Sequence, residues 1–210
     1  MAHRSDLALQ VLHGNKLKGF SESEAIARAV GRNTDDVRGA LMSLKEEGLV
    51  LYREGRLSGW MLTPEGREAH RVRLAADVQA MGNLADLQAA YEAFLELNGL
   101  LLRACTAWQV KDLESNTLND HADPAYDARV IAGLGEIHRR VVPICDQLHG
   151  LAERFDNYGT RLDLAFEKVT AGEREWFAKP LIDSYHTVWM ELHEDLLASL
   201  RIDRSSEPSH

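Results

Sequence analysis

Histidines and cysteines are the first residues in this chain whose spacing could do chemistry. His138, Cys145 and His149 fall at i, i+7 and i+11, and His186 and His193 at i, i+7. On facing helices such sets could hold zinc or nickel. Both sets flank apolar stripes, where amphipathic histidines are common, so they read as partly buried structural side chains and no metal or cofactor is expected. Asn119-Asp120-His121-Ala122-Asp123 followed by Asp127 offers oxygen ligands, but without the glycine and terminal glutamate of a calcium loop it reads as a capped loop. Gly133-Leu134-Gly135 follows no strand and is no dinucleotide motif. Gly-x-Ser-x-Gly, a Walker loop and His-Glu-x-x-His are all missing from the sequence, and nothing asks for catalysis. Trp108, His138, His186 and Trp189 are the residues from which a small-molecule effector pocket would be built between helices. Cys105 and Cys145, each in an apolar helical pattern, read as buried thiols.

The elements that must position these groups can be read along the chain. Leu7, Leu9, Val11 and Leu12 predict a short helix ended by His13-Gly14-Asn15. Ser21-Glu22-Ser23-Glu24 has the form of a capping box opening a helix over Glu22 to Val30, with Gly31 at its C-terminus. Asn33 or Thr34 caps the next helix, whose Val37, Leu41 and Leu44 share one face and which ends at Gly48. Leu49 to Tyr52 and Trp60 to Leu62 predict two strands joined by a glycine-rich turn. Thr63-Pro64 then caps and starts a helix running to Ala80. The fold class expected is mainly α, with three helices and a β-hairpin at the N-terminus.

Residues 1–75 resemble the winged helix-turn-helix heads of MarR-type bacterial regulators. The resemblance is carried by Ala25-Ile26-Ala27, Val37 to Leu44, Glu46-Glu47-Gly48-Leu49-Val50 and Leu62-Thr63-Pro64-Glu65-Gly66-Arg67, roughly residues 7–70. It implies a DNA-binding transcriptional regulator, with the helix after Asn33 in the major groove and the hairpin as a wing. An arginine six residues before the Leu-Thr pair implies a minor-groove contact at Arg56, where Glu54 replaces the family's usual aspartate. The hairpin is otherwise poorer in basic residues than the family's. Geometry adds Arg38 for a guanine edge, Asn33, Thr34 and Ser43 for base or phosphate, and Arg32 and Arg53 for phosphate.

Beyond residue 75 the pattern is helical throughout. Leu84, Leu87, Tyr91, Phe94, Asn98, Leu101, Cys105 and Trp108 form a seven-residue repeat with Asn98 its lone polar member, which predicts a register-setting role for that residue. A second repeat runs from Val130 through Leu151 to Phe155 within a helix placed at Ala128 to Phe155, containing Pro143. A helix capped by Thr160 and Asp163 follows. Thr170-Ala171-Gly172-Glu173 reads as a further capping box, and Ile182, Tyr185, Trp189, Leu192 and Leu196 mark the last helix. Residues 76–202 are therefore expected to form an all-α bundle that makes a homodimer, in a layout nearest to PadR-like regulators, with 203–210 a disordered tail. Lys111 to Tyr126 is the one long connection.

Charge fits this division. Residues 1–75 carry twelve Lys/Arg against ten Asp/Glu, whereas 76–210 carry twelve against twenty-three, so the net −9 belongs to the second part. A mildly basic head on an acidic body suits contact with double-stranded DNA through the head alone. No apolar run is long enough for a bilayer and the N-terminus lacks a secretion signal, so a cytoplasmic protein without membrane contact is expected. The rival expectation is an adaptor whose winged helix docks to protein rather than DNA, favoured by Asp35 and Asp36 and by the overall acidity.

Overall fold

The computed structural model describes residues 2–206, which are mainly helical. The N-terminal elements are α1 (Leu7–Lys18), α2 (Ser23–Val30), α3 (Thr34–Glu46), the antiparallel strands β1 (Val50–Arg53) and β2 (Gly59–Leu62), and α4 (Pro64–Met81). In the hairpin Val50 pairs with Leu62 and Arg53 with Gly59. Around them Val11, Leu12, Ile26, Val37, Leu41, Leu44, Trp60 and Leu62 close one core.

Two helix boundaries here differ from the sequence reading. α1 does not stop at His13-Gly14-Asn15 but runs on to Lys18 and ends at Gly19, whose φ of 70° suits glycine. Gly14 is present for another reason: a Cβ on it would lie 2.5 Å from Val30 Cγ1, so the glycine lets α1 lie close against α2. Ser21 does not cap α2. It is extended and exchanges two backbone hydrogen bonds with Trp60, adding a short third edge to the hairpin, while Glu22 takes the N-cap position. Asn33 and Thr63 do cap as expected, accepting from the Asp35 and Gly66 amides. Gly66 has no room for a side chain, because a Cβ there would overlap the Leu49 carbonyl and hold α4 off the hairpin.

The remaining chain forms α5 (Leu84–Gln109), β3 (Val110–Asp112), β4 (Thr117–Leu118), α6 (Pro124–Leu151), a 3-10 turn (Glu153–Phe155), α7 (Asp156–Thr170), α8 (Glu175–Ala178) and α9 (Tyr185–Leu200). α5 packs on α6, α6 on α7, α7 on α9 and α9 back on α5, closing a bundle-like ring. Both seven-residue stripes are spent inside this ring; only Leu84, at the start of α5, is left 54% exposed.

Several boundaries move here too. α6 begins at Pro124 because Asp123 accepts from the Ala125 and Tyr126 amides, and it continues through Pro143. It ends at Leu151 because Ala152 turns extended and the chain there pairs with His3, whose N–H donates to the Leu151 carbonyl and whose carbonyl accepts from Glu153. α7 starts at Asp156 rather than Thr160 and runs through Thr170, so Thr170 caps no helix; the chain turns at Gly172 (φ 91°) and the short α8 opens at Glu175 and stops before Lys179-Pro180. The long connection contains the small hairpin β3–β4 instead of being loop throughout. Arg204–Ser206, expected as tail, forms a 3-10 turn with Arg204 paired to Glu194; residues 207–210 of that tail lie outside the described residues.

The two cores are not cleanly divided along the chain. Leu9 of α1 belongs to the bundle core while Val11 and Leu12 face the N-terminal one. α4 likewise packs Ala69 against the N-terminal core and Leu74, Val78 and Met81 into the bundle.

Candidate nucleic-acid interface

α3 is held by its inner face. Val37, Leu41 and Leu44 are fully buried, which leaves Asp35, Asp36, Arg38, Gly39, Met42 and Ser43 facing outward. Asn33 is spent on the cap, and Thr34, the first helical residue, is half-buried. The Arg38 guanidinium pairs with Glu24 through Nη2 and with Asp35 through Nη1 at 3.3 Å. Glu24 lies below the usual carboxylate range, held there by a hydrogen bond to its own amide and then by Arg38. The Ser43 hydroxyl donates back to the Gly39 carbonyl at 3.2 Å. Beside α3 a cleft of about 380 Å³ is lined by Glu22, Glu24, Arg38, Lys45, Tyr52 and Trp60, a wall of mixed charge. The hairpin carries Arg53 and Arg56, both exposed and without an ion pair among the described residues, and Leu57 at its tip is 77% exposed.

Arg32 stands apart from this group. Its Nε donates to Gln10 Oε1 at 2.8 Å and its Nη2 lies 3.3 Å from Glu153 Oε2, so it bridges α1 to the turn after α6. Arg38 and Ser43 thus share the outer face of α3, Arg53 and Arg56 are exposed on the hairpin, and Arg32 serves as a strut.

Besides that strut, α1 is held by a buried polar mount that the sequence did not reveal. His13 of α1 lies 2.8 Å from His70 of α4 (Nδ1 to Nε2) and 3.1 Å from Asp195 of α9 (Nε2 to Oδ1). Asp195 also faces Arg154 Nε at 3.5 Å and accepts from the Tyr158 hydroxyl and from Ser199. Arg154 reaches Asp77 of α4, which in turn holds His3 and Ser5. A second cluster joins Lys18 to Asp183 and Glu191, both 2.7 Å away, with Arg161 sharing the same two carboxylates at 3.1 and 2.7 Å.

The electrostatics follow from this crowding. Burial, then the His13 and Lys16 charges, push His70 down to about 3, so it stays neutral beside His13. For Asp195 burial works upward, but the His13 and Arg154 charges outweigh it and hold the carboxyl well below its ordinary range. Burial likewise opposes ionisation of Asp183, and Arg161 and Lys18 overcome it. One signal was present in the sequence: Glu191, Asp195 and Ser199 recur every four residues along α9, the spacing of one helix face. An apolar stripe on the other side gives no sign that this face is covered, but both sides of α9 are buried.

Three of the four residues expected to frame an effector pocket, Trp108, His138 and Trp189, are packed among aromatics. Trp108 stacks on Phe177 at 4.5 Å, with its ring also 4.4 Å from that of His121. Trp189 stacks on Phe94 and its Nε1–H donates to Asn98 Oδ1 at 3.0 Å. His138 stacks on Phe166 with Nε2 3.3 Å from Asp163, and burial lowers its pKa; His186 is half-buried and shifted down for the same reason. None of the four lines the α2–α3 cleft or the two clefts along α4 and α9. Among the described residues no three His, Cys, Asp or Glu side chains are placed to hold a metal ion. His121 and Asn119 instead close on Asp127, with His121 Nδ1 3.0 Å from one carboxylate oxygen. Both cysteines are free and buried, and burial pushes each thiol up to about 12. No described helix is long and apolar enough to cross a membrane. The chain matches no family model, no curated protein and no solved structure.

Proposed function

We propose that residues 1–75 work as a winged helix-turn-helix head that reads double-stranded DNA, and that the chain is a dimeric transcriptional regulator. The observation that carries this reading is α3 itself, locked by its inner face and open on its outer one, beside a hairpin whose Arg53 and Arg56 have no ion pair among the described residues. Thirteen residues make a rod of about 20 Å, which fits lengthwise in a major groove about 12 Å wide. Arg38 is engaged only in exposed ion pairs worth about 0–1 kcal/mol, which a guanine edge or a phosphate can replace. Arg53 and Arg56 need no such exchange. The acidic bundle keeps nonspecific phosphate contact confined to the head.

The dimer in this reading cannot use the two long stripes beyond Leu84, since every other member packs within one chain. Its contact would instead involve apolar groups left outside, among them Val72 and Leu84, 52% and 54% exposed beside the cleft between α4 and α5.

A second reading rests on a specific observation. Arg38 is paired with Glu24 and Asp35, Glu22 lines the same cleft and Asp36 is exposed on the same helix, so the outer face of α3 is at best neutral, which suits a basic protein partner better than phosphate. Affinity for genomic fragments enriched by the protein and for random duplex, measured across a salt series, separates the two. DNA reading requires tighter binding to the enriched fragments and a fall with salt. Absence of salt-dependent binding to any duplex would leave the protein-docking reading.

A further inference from the structure

A cleft of about 450 Å³ opens where α1 and α4 meet the C-terminal end of α9. Its volume is within the range of small-molecule sites, roughly 300–1,000 Å³. The floor is aliphatic: Leu74 and Leu197 are almost wholly buried beneath it, with Ala198 and Ile202 beside them. The rim carries Lys16, Arg67, Arg71 and Arg201, against a single lining carboxylate, Asp203. Four cations at one opening stand out in a chain of net charge −9. Their existing engagements are light. Arg71 pairs on the surface with Glu68, Lys16 lies 3.6 Å from Glu194, Arg67 gives one bond to the Leu62 carbonyl, and Arg201 has no ion pair among the described residues.

We infer that this cleft binds an aliphatic carboxylate, its chain on the leucine floor and its charge at the arginine rim. Arginine offers a forked donor pair that matches a carboxylate, and an unbranched chain matches a floor without large aromatic rings. The site differs from the Trp108–His138–His186–Trp189 region and is defined without reference to what α3 binds. Its place gives occupancy a consequence. His70 lines the cleft, and one hydrogen bond away stands His13, which joins α1 to Asp195 of α9. A ligand there touches both halves of the molecule at their mount.

The experiment is calorimetric titration of the full chain, without DNA, using decanoate, decylamine and acetate in turn. Decanoate is expected to bind once per chain, while decylamine, which has the tail with the wrong charge, and acetate, which has the charge without the tail, give no saturable heat. Arg71→Gln with Arg201→Gly should weaken decanoate binding about tenfold or more, each lost charge-assisted bond being a factor of about ten. Glycine keeps the left-handed backbone of Arg201 (φ 56°), so the thermal transition serves as a check that the fold is retained. Arg103→Gln, at an exposed arginine on α5, should leave binding unchanged. The inference is overturned if decanoate gives no saturable binding at low-millimolar concentration, if decylamine or acetate binds as well, or if the folded double variant binds decanoate like wild type.

Discussion

Asn98 shows how one buried polar atom changes the meaning of a pattern. Within its stripe it reads as a lone polar intruder, whose replacement by leucine would stabilise the chain. In the fold it accepts the indole N–H of Trp189, a side chain with no solvent exposure. Asn98→Leu would strand that donor, so we expect a loss of about 1–3 kcal/mol in urea unfolding; an unchanged or raised midpoint would refute the pairing. At the same scale, the arginines of the head should separate by role. Arg38→Ala should cost about 1–3 kcal/mol on an enriched DNA site and much less on random duplex. Arg56→Ala should weaken both and reduce the salt slope by about one phosphate contact. Equal losses on both duplexes for Arg38→Ala would remove its reading role.

Among the elements, caps and apolar periods told most of the story in advance. Asn33, Thr63 and the Val37-Leu41-Leu44 spacing put α3, the hairpin and α4 within a residue or two of where they stand, because each signal is local. The reading failed where a partner distant in sequence decided the outcome. α1 continues through Gly14 because α2 needs the space, Ser21 leaves its capping box for Trp60, and α6 stops where His3 pairs across it. The outward face of α3 was legible, Asp35 and Asp36 included, but the pairing of Arg38 with Glu24 was not, since Glu24 comes from another helix. The mount was missed for the same reason, its members being scattered over α1, α4, α7 and α9. Its worth can be tested at Arg161, which shares Asp183 and Glu191 with Lys18. Arg161→Met should cost about 3–5 kcal/mol by leaving buried carboxylates underpaired, and adding Glu191→Leu should recover a good part of it. A double variant no better than the single one would show that the ions are not coupled.

Across the whole molecule the mount makes stability a function of pH. His70 titrates near 6.5 when unfolded and at about 3 in the fold, so the unfolded chain binds the extra proton. Its contribution is complete above about 6.5 and drains away as pH falls toward about 3. Between pH 6.5 and 5, before most carboxylates titrate, His70 alone should lower the unfolding free energy with a slope approaching about 1.4 kcal/mol per pH unit, to which His138 and His186, also lowered by burial, add. His70→Gln, which can still hydrogen-bond to His13 but does not titrate, should reduce that slope; an equally steep variant would place the sensitivity elsewhere. The dimer is a separate matter of surface. Sedimentation of the full chain should show a dimer that Leu84→Glu with Val72→Glu weakens, whereas a monomeric wild type at micromolar concentration would rule out the proposed assembly.

The sharing of α1 between two cores bears on portability. Leu9 is committed to the bundle, Val11 and Leu12 to the other side, and His3 is stitched to the turn behind α6. A head cut away at residue 75 would carry these bundle-facing groups into water along with His13, Lys18 and Leu74. Such a fragment is a poor candidate for grafting onto another protein, and the intact chain has reason to melt in one step. A push on α9 is likewise felt by α1 as a lever feels its fulcrum, with no flexible linker to absorb it.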